Sequence, residues 1–361
     1  MPWLRELSRS IPLLAPGDAE RPTAIALGSF DGLHEGHRRV IAAVTAPAEG
    51  REAAGVPTVL SFWPHPREVL HGETRLRLDL PEEKLSLLEP LGIRQLVLVP
   101  FNRQLAQLEP GAFVEQVLVG QLGARHVAVG ENFRFGAGRR GDTAELQRLG
   151  AALGVAVTVV PILRDGEERV SSSRIRRALA SGDLQEARRL LQRPYRFSGA
   201  VVRGRGLGRQ LGWPTANLQV DGRKFLPLEG VYAARVQIHD EPGHSNGATV
   251  GDKDGDSDGD RTGDSPWLAA VMNLGPQPTV DPAAPSAVEV HLLDRRLELV
   301  GRWLRVEPLA LLRRQQRFAG LDALRAQIAR DAEQARGLAA GVGMGESPAD
   351  ECGDAAQQQN P

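Results

Sequence analysis

The sequence lacks several features that would place it in a specialised class of proteins. It has one cysteine, Cys352, in a polar C-terminal stretch, which excludes a disulfide framework and a cysteine-ligated metal centre. It has no run of about 18 apolar residues, which argues against a membrane partner. Its first residues lack the basic and apolar segments of a signal peptide. We therefore expect a cytoplasmic protein.

An excess of one charge is also missing. The chain has 44 Lys and Arg against 45 Asp and Glu, a net charge of -1 at pH 7. No basic stripe with interleaved aromatic residues is present, so we expect small-molecule partners and no nucleic acid. The 361 residues exceed what one hydrophobic core usually serves, which predicts two domains.

The first half of the chain alternates short apolar runs with helical segments. Strands are predicted at TAIAL (23–27), PTVLSF (57–62), IRQLVLVP (93–100), ARHVAVG (124–130) and VAVTVVP (155–161). Amphipathic helices are predicted between them, and a helical stretch follows over 171–192. Because these strands are almost continuously apolar, the pattern indicates an α/β domain whose parallel sheet is covered by helices on both faces.

The second half has a different sequence pattern. From Tyr195 onward, short apolar runs are separated by Gly and Pro, which indicates an antiparallel β domain closed into a barrel. A helix is predicted near 319–337. We therefore place one domain at 1–190, a second at 191–337 and a disordered tail at 338–361.

A low-complexity acidic insert occupies residues 239–265. Its DGDSDG stretch, Asp254 to Gly259, has the acidic spacing of the start of a calcium-binding loop. Position 12 of such a loop would be Ser265, where a glutamate is needed, and no helices flank the stretch. We therefore interpret the insert as a disordered, solvated loop.

The stretch GSFDGLHEGH, 28–37, marks the passage from the first strand to a helix. Gly28 ends the strand at the carboxyl edge of the sheet, where open α/β sheets bind ligands. Gly32 and Gly36 would let the backbone approach a ligand, and the helix N-terminus favours an anion. His34 and His37, three residues apart, can share one side of the first turn as donors or cations.

The stretch predicts a nucleotide site that is neither a Walker loop nor a dinucleotide fingerprint. Two other interpretations remain open. The histidines could form half of a zinc site with Asp31, or they could be capping or core residues. The Gly-x-Phe-Asp-Gly context favours the nucleotide site.

This stretch resembles the HxGH signature of adenylyl- and cytidylyltransferases, in the form found in bacterial bifunctional riboflavin kinase/FAD synthetases. Further segments resemble that family in its order and spacing: FWPHP (62–66), GENFRFGAGRRGD (130–142), SSSRIRRALASGD (171–183) and LLQRPYRFSGAVVRGRGLGRQLGWPTANL (190–218). The resemblance spans about residues 20 to 337. It implies a Rossmann-like nucleotidyltransferase domain followed by a six-stranded riboflavin kinase barrel with a C-terminal helix.

For the first domain, the resemblance implies transfer of AMP from ATP to the phosphate of FMN. His34, His37 and Arg176 would be catalytic through positioning and charge stabilisation, because the attacking phosphate is already anionic. ATP would be bound by Gly28, Phe30, Asp31, Gly32, His34, His37, His65, Ser172, Ser173 and Arg176. The flavin would be bound by Asn132, Phe133 and Phe135, although either phenylalanine could equally belong to the core. Ser173 stands where the family usually has Thr.

For the second domain, the glycine-rich stretch GRGLGRQLGWPTANL, 204–218, predicts either a loop folding over phosphates or a long hairpin turn. Thr215 and Asn217 alternate around Ala216, so both point to one side and their oxygens suit Mg²⁺. The resemblance implies ATP binding by Gly206, Gly208, Arg209, Gly212, Pro214, Thr215 and Asn217. It implies that Glu289, in VEVHLLD, takes the proton from the ribityl 5′-hydroxyl of riboflavin.

Three residues depart from the family pattern: Gln277 replaces Arg, Val300 replaces Tyr and Gln315 replaces Glu. The main expectation is a bifunctional enzyme, monomeric or weakly homo-oligomeric, that uses ATP and Mg²⁺ to make FMN and then FAD. Two alternatives stay open, an FAD synthetase with an impaired kinase domain and a non-catalytic flavin-binding regulator. The joint retention of the histidine pair, Arg176, Thr215, Asn217 and Glu289 favours the main expectation.

Overall fold

The computed structural model describes residues 11–46, 55–73, 76–204, 206–210, 212–239, 265–275 and 288–341. The chain divides into two compact units. The first unit contains Met1–Tyr195 and also Asp221–Pro227, and the second contains Arg196–Val220 and most of the chain from Leu228 onward. The acidic insert, except for His239 and Ser265, and residue Gln277 lie outside the described residues.

A six-stranded parallel sheet forms the centre of the first unit. Its strands are β1 (Leu13–Leu14), β2 (Thr23–Leu27), β3 (Val56–Trp63), β4 (Gln95–Pro100), β5 (Ala124–Gly130) and β6 (Ala156–Val160). Their order across the sheet is β1-β4-β3-β2-β5-β6, and every neighbouring pair is parallel. After β2, strands β3 and β4 are added in turn on one side of β2. The chain then crosses back, and β5 pairs with the other side of β2. A topological switch point therefore lies between β2 and β5.

Helices connect these strands and cover both faces of the sheet. They are α1 (Glu35–Thr45), α2 (Pro66–His71), α3 (Pro81–Leu88), α4 (Arg103–Ala106), α5 (Pro110–Ala112, continued by a π-type helix over Phe113–Gln121), α6 (Thr143–Ala152), α7 (Ser172–Ser181) and α8 (Leu184–Leu191). All five residues of β2 are buried. Ile25 and Leu27 pack into one core, while Ala24 and Ala26 pack into the other. A small hairpin, β7 (Arg164–Asp165) and β8 (Glu168–Arg169), precedes α7.

The second unit contains a closed antiparallel barrel. Its strands are β9 (Phe197–Val202), β10 (Ala216–Val220), β11 (Gly230–His239), β12 (Leu268–Leu274), β13 (Val288–Leu292) and β14 (Trp303–Arg313), in the order β10-β13-β12-β11-β14-β9. The one-turn helix α9 (Leu207–Gln210) lies between β9 and β10. Along β13, buried Val288, Val290 and Leu292 alternate with the half-buried Glu289 and His291, which places the last two on the outer face.

A long C-terminal helix, α10 (Leu321–Gly341), covers part of the outer barrel surface. Ala332 and Ala335 pack there against Val231, Ala233 and Val271. The helix starts two residues later than predicted and continues to Gly341, so 338–341 are helical. The rest of the tail lies outside the described residues.

The predicted fold class is confirmed: a parallel α/β sheet, a six-stranded barrel and a C-terminal helix. Several short elements were missed, among them the hairpin of β7 and β8 and the helices α2, α4 and α9. β1 has only two residues, too few for a periodic signal, and the helical stretch 171–192 is two helices. Gly182, at φ 81°, ends α7 in the left-handed region, and the Asp183 side chain accepts from the backbone of Glu186 to start α8. Within the described residues, no helix has the length and apolar character to span a membrane.

Candidate functional site

A cleft of about 1070 Å³ opens at the carboxyl ends of the parallel strands. Gly28 and Phe30 follow β2, Trp63 and His65 lie at and after the end of β3, and Asn132 follows β5. The cleft therefore lies at the switch point between β2 and β5, the place where open α/β sheets bind their ligands.

His34 and His37 form a stacked pair in the cleft wall. His34 is the N-cap of α1, and its Nδ1 accepts a hydrogen bond from the backbone N–H of His37 at 3.3 Å. The ring centroids are 3.7 Å apart, and Phe30 places its ring edge-on to His37 at 5.4 Å. His34 thus caps α1 and lines the cleft at the same time.

Gly36 allows the His34 ring to lie against the start of α1. A Cβ at position 36 would come within 3.2 Å of His34 Cε1 and 3.3 Å of its Nδ1. This contact is tighter than normal packing, so any side chain there would push the ring away. The glycine between the two histidines is therefore explained by close approach to the imidazole.

Both imidazoles are neutral near pH 7. The pKa of His34 is lowered to about 4, mainly by burial and also by Arg169 and Arg38, while Asp31 opposes the shift. Burial also lowers the pKa of His37 well below its usual value, with smaller contributions from His34 and Lys84. Of the two predicted roles, donor or cation, the structure supports hydrogen-bond donation from a neutral ring.

The depressed pKa of His34 predicts a pH-dependent stability of the first unit. The unfolded chain binds a proton near pH 6.5 and the folded chain only near pH 4, so the free energy of unfolding falls as pH drops through this window. The loss should reach about 3 kcal/mol at pH 4. Hydrogen exchange of the β2 amides at several pH values measures it. The slope should become shallower in His34→Asn, where His37 keeps its own contribution, and persist in His71→Gln, on α2. An unchanged slope in His34→Asn would contradict the assignment.

Asp31 is buried beside the cleft and does not line it. Its Oδ1 accepts from the backbone N–H groups of Leu78 and Asp79 at 2.8 and 3.3 Å, and its Oδ2 accepts from Arg176. Arg176 also donates to the carbonyl of Leu76 at 3.2 Å. In this arrangement Asp31 and Arg176 face each other rather than the cleft, and Asp31 fixes the turn between β2 and α1.

Gly32 is part of the same turn and also lies off the cleft wall. Its φ is 96°, and its N–H donates to Asp79 Oδ2 at 2.9 Å. A Cβ at this position would come within 2.8 Å of Leu78. Its place in the fold is therefore explained by packing.

The cleft brings together the remaining residues predicted for this domain. His65 caps α2. Its ring Nδ1 accepts from the backbone N–H of Arg67 at 3.1 Å, and its own backbone N–H donates to Glu68 Oε2 at 2.7 Å. Ser172 and Ser173 begin α7, and Ser172 Oγ donates to the carbonyl of Asp31 at 2.7 Å. Both serines, His65 and Asn132 line the cleft.

Phe133 and Phe135 also line the cleft, and both pack against the core. Their rings stack with centroids 5.7 Å apart, and Phe135, 6 % exposed, contacts Phe113. The two interpretations of these aromatics are therefore compatible, because one edge of the pair belongs to the core and the other borders the cleft.

Sequence reasoning missed the cations of the cleft. Lys84 on α3 is buried, and its Nζ donates to the carbonyl of Ser29 at 2.9 Å. Burial lowers its pKa, and Asp31 and Asp79 oppose that effect. The other cations that line the cleft are Arg67, Arg77, Arg134, Arg139 and Arg169. Arg134 and Arg139 lie within GENFRFGAGRRGD, 130–142, so the stretch that carried the resemblance was the signal that could have found them.

The barrel carries a second group of polar residues on its outer face. Glu289 on β13 is in register with Asn217 on β10 and with Asn273 on β12. Residues in antiparallel register share one face, so both amides flank the carboxylate. Thr215 immediately precedes β10.

The glycine-rich stretch lies against these residues. Gly204 faces the Asn217 side chain so closely that a Cβ would be 2.1 Å from its Nδ2, so a side chain at position 204 would displace the amide. Gly206, at φ 71°, is followed by α9, which carries Gly208 and Arg209, and Gly212 has φ 86°. Trp213 N–H donates to Gly208 O at 2.8 Å, which folds the stretch back onto Pro214 and Thr215.

Two departures from the family pattern have a structural setting. Gln315 donates to Asn273 Oδ1 at 2.7 Å and to Leu274 O at 3.0 Å, so it orients a neighbour of Glu289. Val300 is 46 % exposed on a loop.

His291 Nδ1 lies 2.7 Å from the carbonyl of Pro214 and must donate to it, because a carbonyl only accepts.

No group of three or more His, Cys, Asp or Glu residues is placed to hold a metal in the part of the chain that the structure describes. The hydroxyl of Thr215 and the amide of Asn217 offer neutral oxygens, which suit a hard cation that keeps waters and phosphates as its other ligands. The two units thus define a class of transferase that joins a nucleotidyltransferase-type sheet to a closed antiparallel barrel.

The chain belongs to the bifunctional riboflavin kinase/FMN adenylyltransferase family. Residues 17–174 match the FAD synthetase family model and residues 191–339 match the riboflavin kinase model. The bifunctional riboflavin kinase/FMN adenylyltransferase of Escherichia coli K12 is 38 % identical over 86 % of this chain and 91 % of its own length. The protein of that name from Pseudomonas fluorescens is 37 % identical over 93 % and 98 %.

More distant proteins share the same arrangement. The bifunctional riboflavin kinase/FMN adenylyltransferase of Bacillus subtilis 168 is 32 % identical over 88 % of this chain and 93 % of its own. A crystal structure described as a macrolide-efflux protein from Streptococcus pneumoniae matches with a TM-score of 0.73 and 25 % identity, over 90 % of this chain and 98 % of that one. The similarity therefore extends across both units of the chain.

Proposed function

We propose that this chain makes FAD from riboflavin in two ATP-dependent steps. The second unit phosphorylates riboflavin to FMN, and the first unit transfers AMP from ATP to FMN with release of pyrophosphate. The observation that carries the proposal is that one chain of this family holds both a histidine-lined cleft at a sheet switch point and a barrel face with Thr215, Asn217 and Glu289. The nearly full-length similarity to bifunctional enzymes supports the same conclusion.

In the adenylyl transfer, an oxygen of the FMN phosphate attacks the α-phosphorus of ATP and pyrophosphate leaves. The nucleophile carries its own negative charge, so the unit has to align two anions and stabilise the growing charge on the leaving group. His34, His37, Ser172 and Ser173 would donate to ATP phosphates, and Arg176 would join them by exchanging Asp31 for a phosphate. Phe133, Phe135 and Asn132 would hold the flavin.

In the kinase reaction, the ribityl 5′-hydroxyl attacks the γ-phosphorus of ATP. Glu289 would accept the hydroxyl proton, oriented by the amides on either side of it. The stretch containing Gly206, Gly208, Arg209, Gly212 and Pro214 would cover the phosphates. Mg²⁺ held by Thr215 and Asn217 would supply charge neutralisation at the β- and γ-phosphates.

The remaining expectations are parts of the same proposal. We infer a domain division near residue 190, small-molecule partners only, a monomer or weak homo-oligomer, and a cytoplasmic location. The near-zero net charge and the absence of a spanning helix among the described residues are compatible with these inferences.

The purified chain should convert riboflavin first to FMN and then to FAD when supplied with ATP and Mg²⁺. Chromatography that resolves the three flavins over time measures both steps, and excess EDTA should stop both. Conversion of FMN but not riboflavin would indicate an FAD synthetase with an impaired kinase unit. Flavin binding without ATP turnover would contradict the proposal.

A further inference from the structure

A seven-residue segment, Asp221–Pro227, belongs to the first compact unit although it lies in sequence between two barrel strands, β10 and β11. We name this segment the strap. Its backbone pairs with that of Arg77: Arg77 N–H donates to Arg223 O, and Phe225 N–H donates to Arg77 O, both at 2.7 Å. The strap thus adds a short parallel bridge beside the cleft.

Lys224 is the best-anchored residue of the strap. Its side chain is completely buried, and its Nζ donates at 2.6 Å both to the carbonyl of Leu78 and to Glu83 Oε2. Its ammonium also lies 4.8 Å from the ring centroid of Tyr195, whose hydroxyl donates to the carbonyl of Phe225. A fully buried ammonium needs such partners, so this position is specified by the strap and its receiving surface together.

Hydrogen bonds connect Lys224 to the turn that carries the histidine pair. Leu78, whose carbonyl binds Lys224, donates its N–H to Asp31 Oδ1 at 2.8 Å. Asp79 accepts from Gly32 N at 2.9 Å and from Arg193 at 2.8 Å. Asp31 in turn pairs with Arg176. Two hydrogen-bonded steps therefore separate the strap from Asp31, between β2 and α1.

The strap also supports the end of β3. The guanidinium of Arg223 lies 4.9 Å from the ring centroid of Trp63, and that of Arg77 lies 5.1 Å from the same centroid. Trp63 lines the cleft two residues before His65. Arg223 is held in place by Asp221, which accepts from its backbone N–H at 2.8 Å and from its side chain.

We propose that the strap is a working part of the adenylyltransferase site and that Lys224 is a positioning residue for adenylyl transfer. Lys224 holds residues 77–79 in place, and these residues fix the position of the Asp31 carboxylate. The carboxylate in turn fixes the β2–α1 turn and the guanidinium of Arg176. The inference rests on the proposed function. It predicts that FAD formation depends on residues that lie within the stretch matched by the riboflavin kinase model.

The test is the full-length Lys224→Met variant, assayed separately with FMN and with riboflavin. FAD formation should fall about tenfold or more, mainly in kcat, because misplaced groups stabilise the transition state poorly while substrates still bind. Riboflavin phosphorylation should stay within about twofold of wild type. Arg188→Met, which removes an exposed cation on α8, should leave both reactions unchanged.

Unchanged FAD formation in Lys224→Met, or an equal loss in both reactions with normal folding, would overturn the inference. If this variant does not fold, Arg223→Ala serves as the test, because removing a half-exposed side chain should leave the protein folded. It should slow FAD formation roughly threefold and spare the kinase, and an unaltered rate would overturn the inference. Wild-type protein that makes no FAD would instead contradict the proposed function.

Discussion

Replacing His37 with alanine should nearly abolish the conversion of FMN to FAD and leave the phosphorylation of riboflavin intact. We expect kcat of adenylyl transfer to fall roughly 100- to 1000-fold, the usual effect of removing one preorganised donor that faces developing charge. The measurement is FAD formation from FMN and ATP, compared with FMN formation from riboflavin in the same preparation.

The environment of His37 explains the size of this effect. The ring is half-buried, stacked on His34 and held edge-on by Phe30, so its direction is fixed before a substrate arrives. Its Nδ1 has no hydrogen-bond partner within the described part of the chain. An unsatisfied buried nitrogen is costly, so the ring is held in the cleft wall at the expense of stability.

His126 supplies a matched control for His37. It lies on β5 outside the cleft lining, and its Nε2 lies 2.9 Å from Thr158 Oγ1. His126→Gln should keep full adenylyl transfer. If His37→Ala retained FAD formation within a few-fold of wild type, the paired imidazoles would not be the phosphate site, and loss of both reactions in a folded protein would contradict two separate sites.

The sequence predicted the fold well because local patterns determine most of it. TAIAL and ARHVAVG coincide with β2 and β5 to the residue. β2 is buried along its whole length and β5 is buried over residues 127–129, which requires apolar runs at those positions. Capping residues such as Asp142, whose side chain accepts from Glu145 N, mark where helices begin.

The site was predicted less completely because distant contacts leave no local pattern. Asp31 looked like a ligand-binding residue, but its carboxylate binds a backbone segment 47 residues away. The strap gave no signal at all, since Lys224 reads as a surface lysine in a turn and is completely buried. Cations such as Lys84 likewise look like exposed helix residues until the cleft is assembled.

Changing Glu289 to glutamine should produce the opposite selectivity to the histidine variant. Riboflavin phosphorylation should fall by about 10²- to 10⁴-fold, the contribution of a positioned general base, because an amide cannot take the 5′-hydroxyl proton. The substitution keeps the size of the side chain and leaves its neighbours Asn217 and Asn273 in place, so the barrel should stay folded. FMN formation from riboflavin, followed at saturating ATP, is the measurement.

The two amides in register with Glu289 make this prediction specific to its carboxylate. Each amide can donate a hydrogen bond, which would hold the carboxylate in one orientation. Gln315 fixes the Asn273 amide by donating to its Oδ1. Glu298→Gln, at an exposed loop position after β13, is the matched control and should keep both activities. Phosphorylation by Glu289→Gln within about threefold of wild type would exclude Glu289 as the base. Selective loss of the kinase step, with FMN still converted to FAD, would place proton transfer on the barrel face.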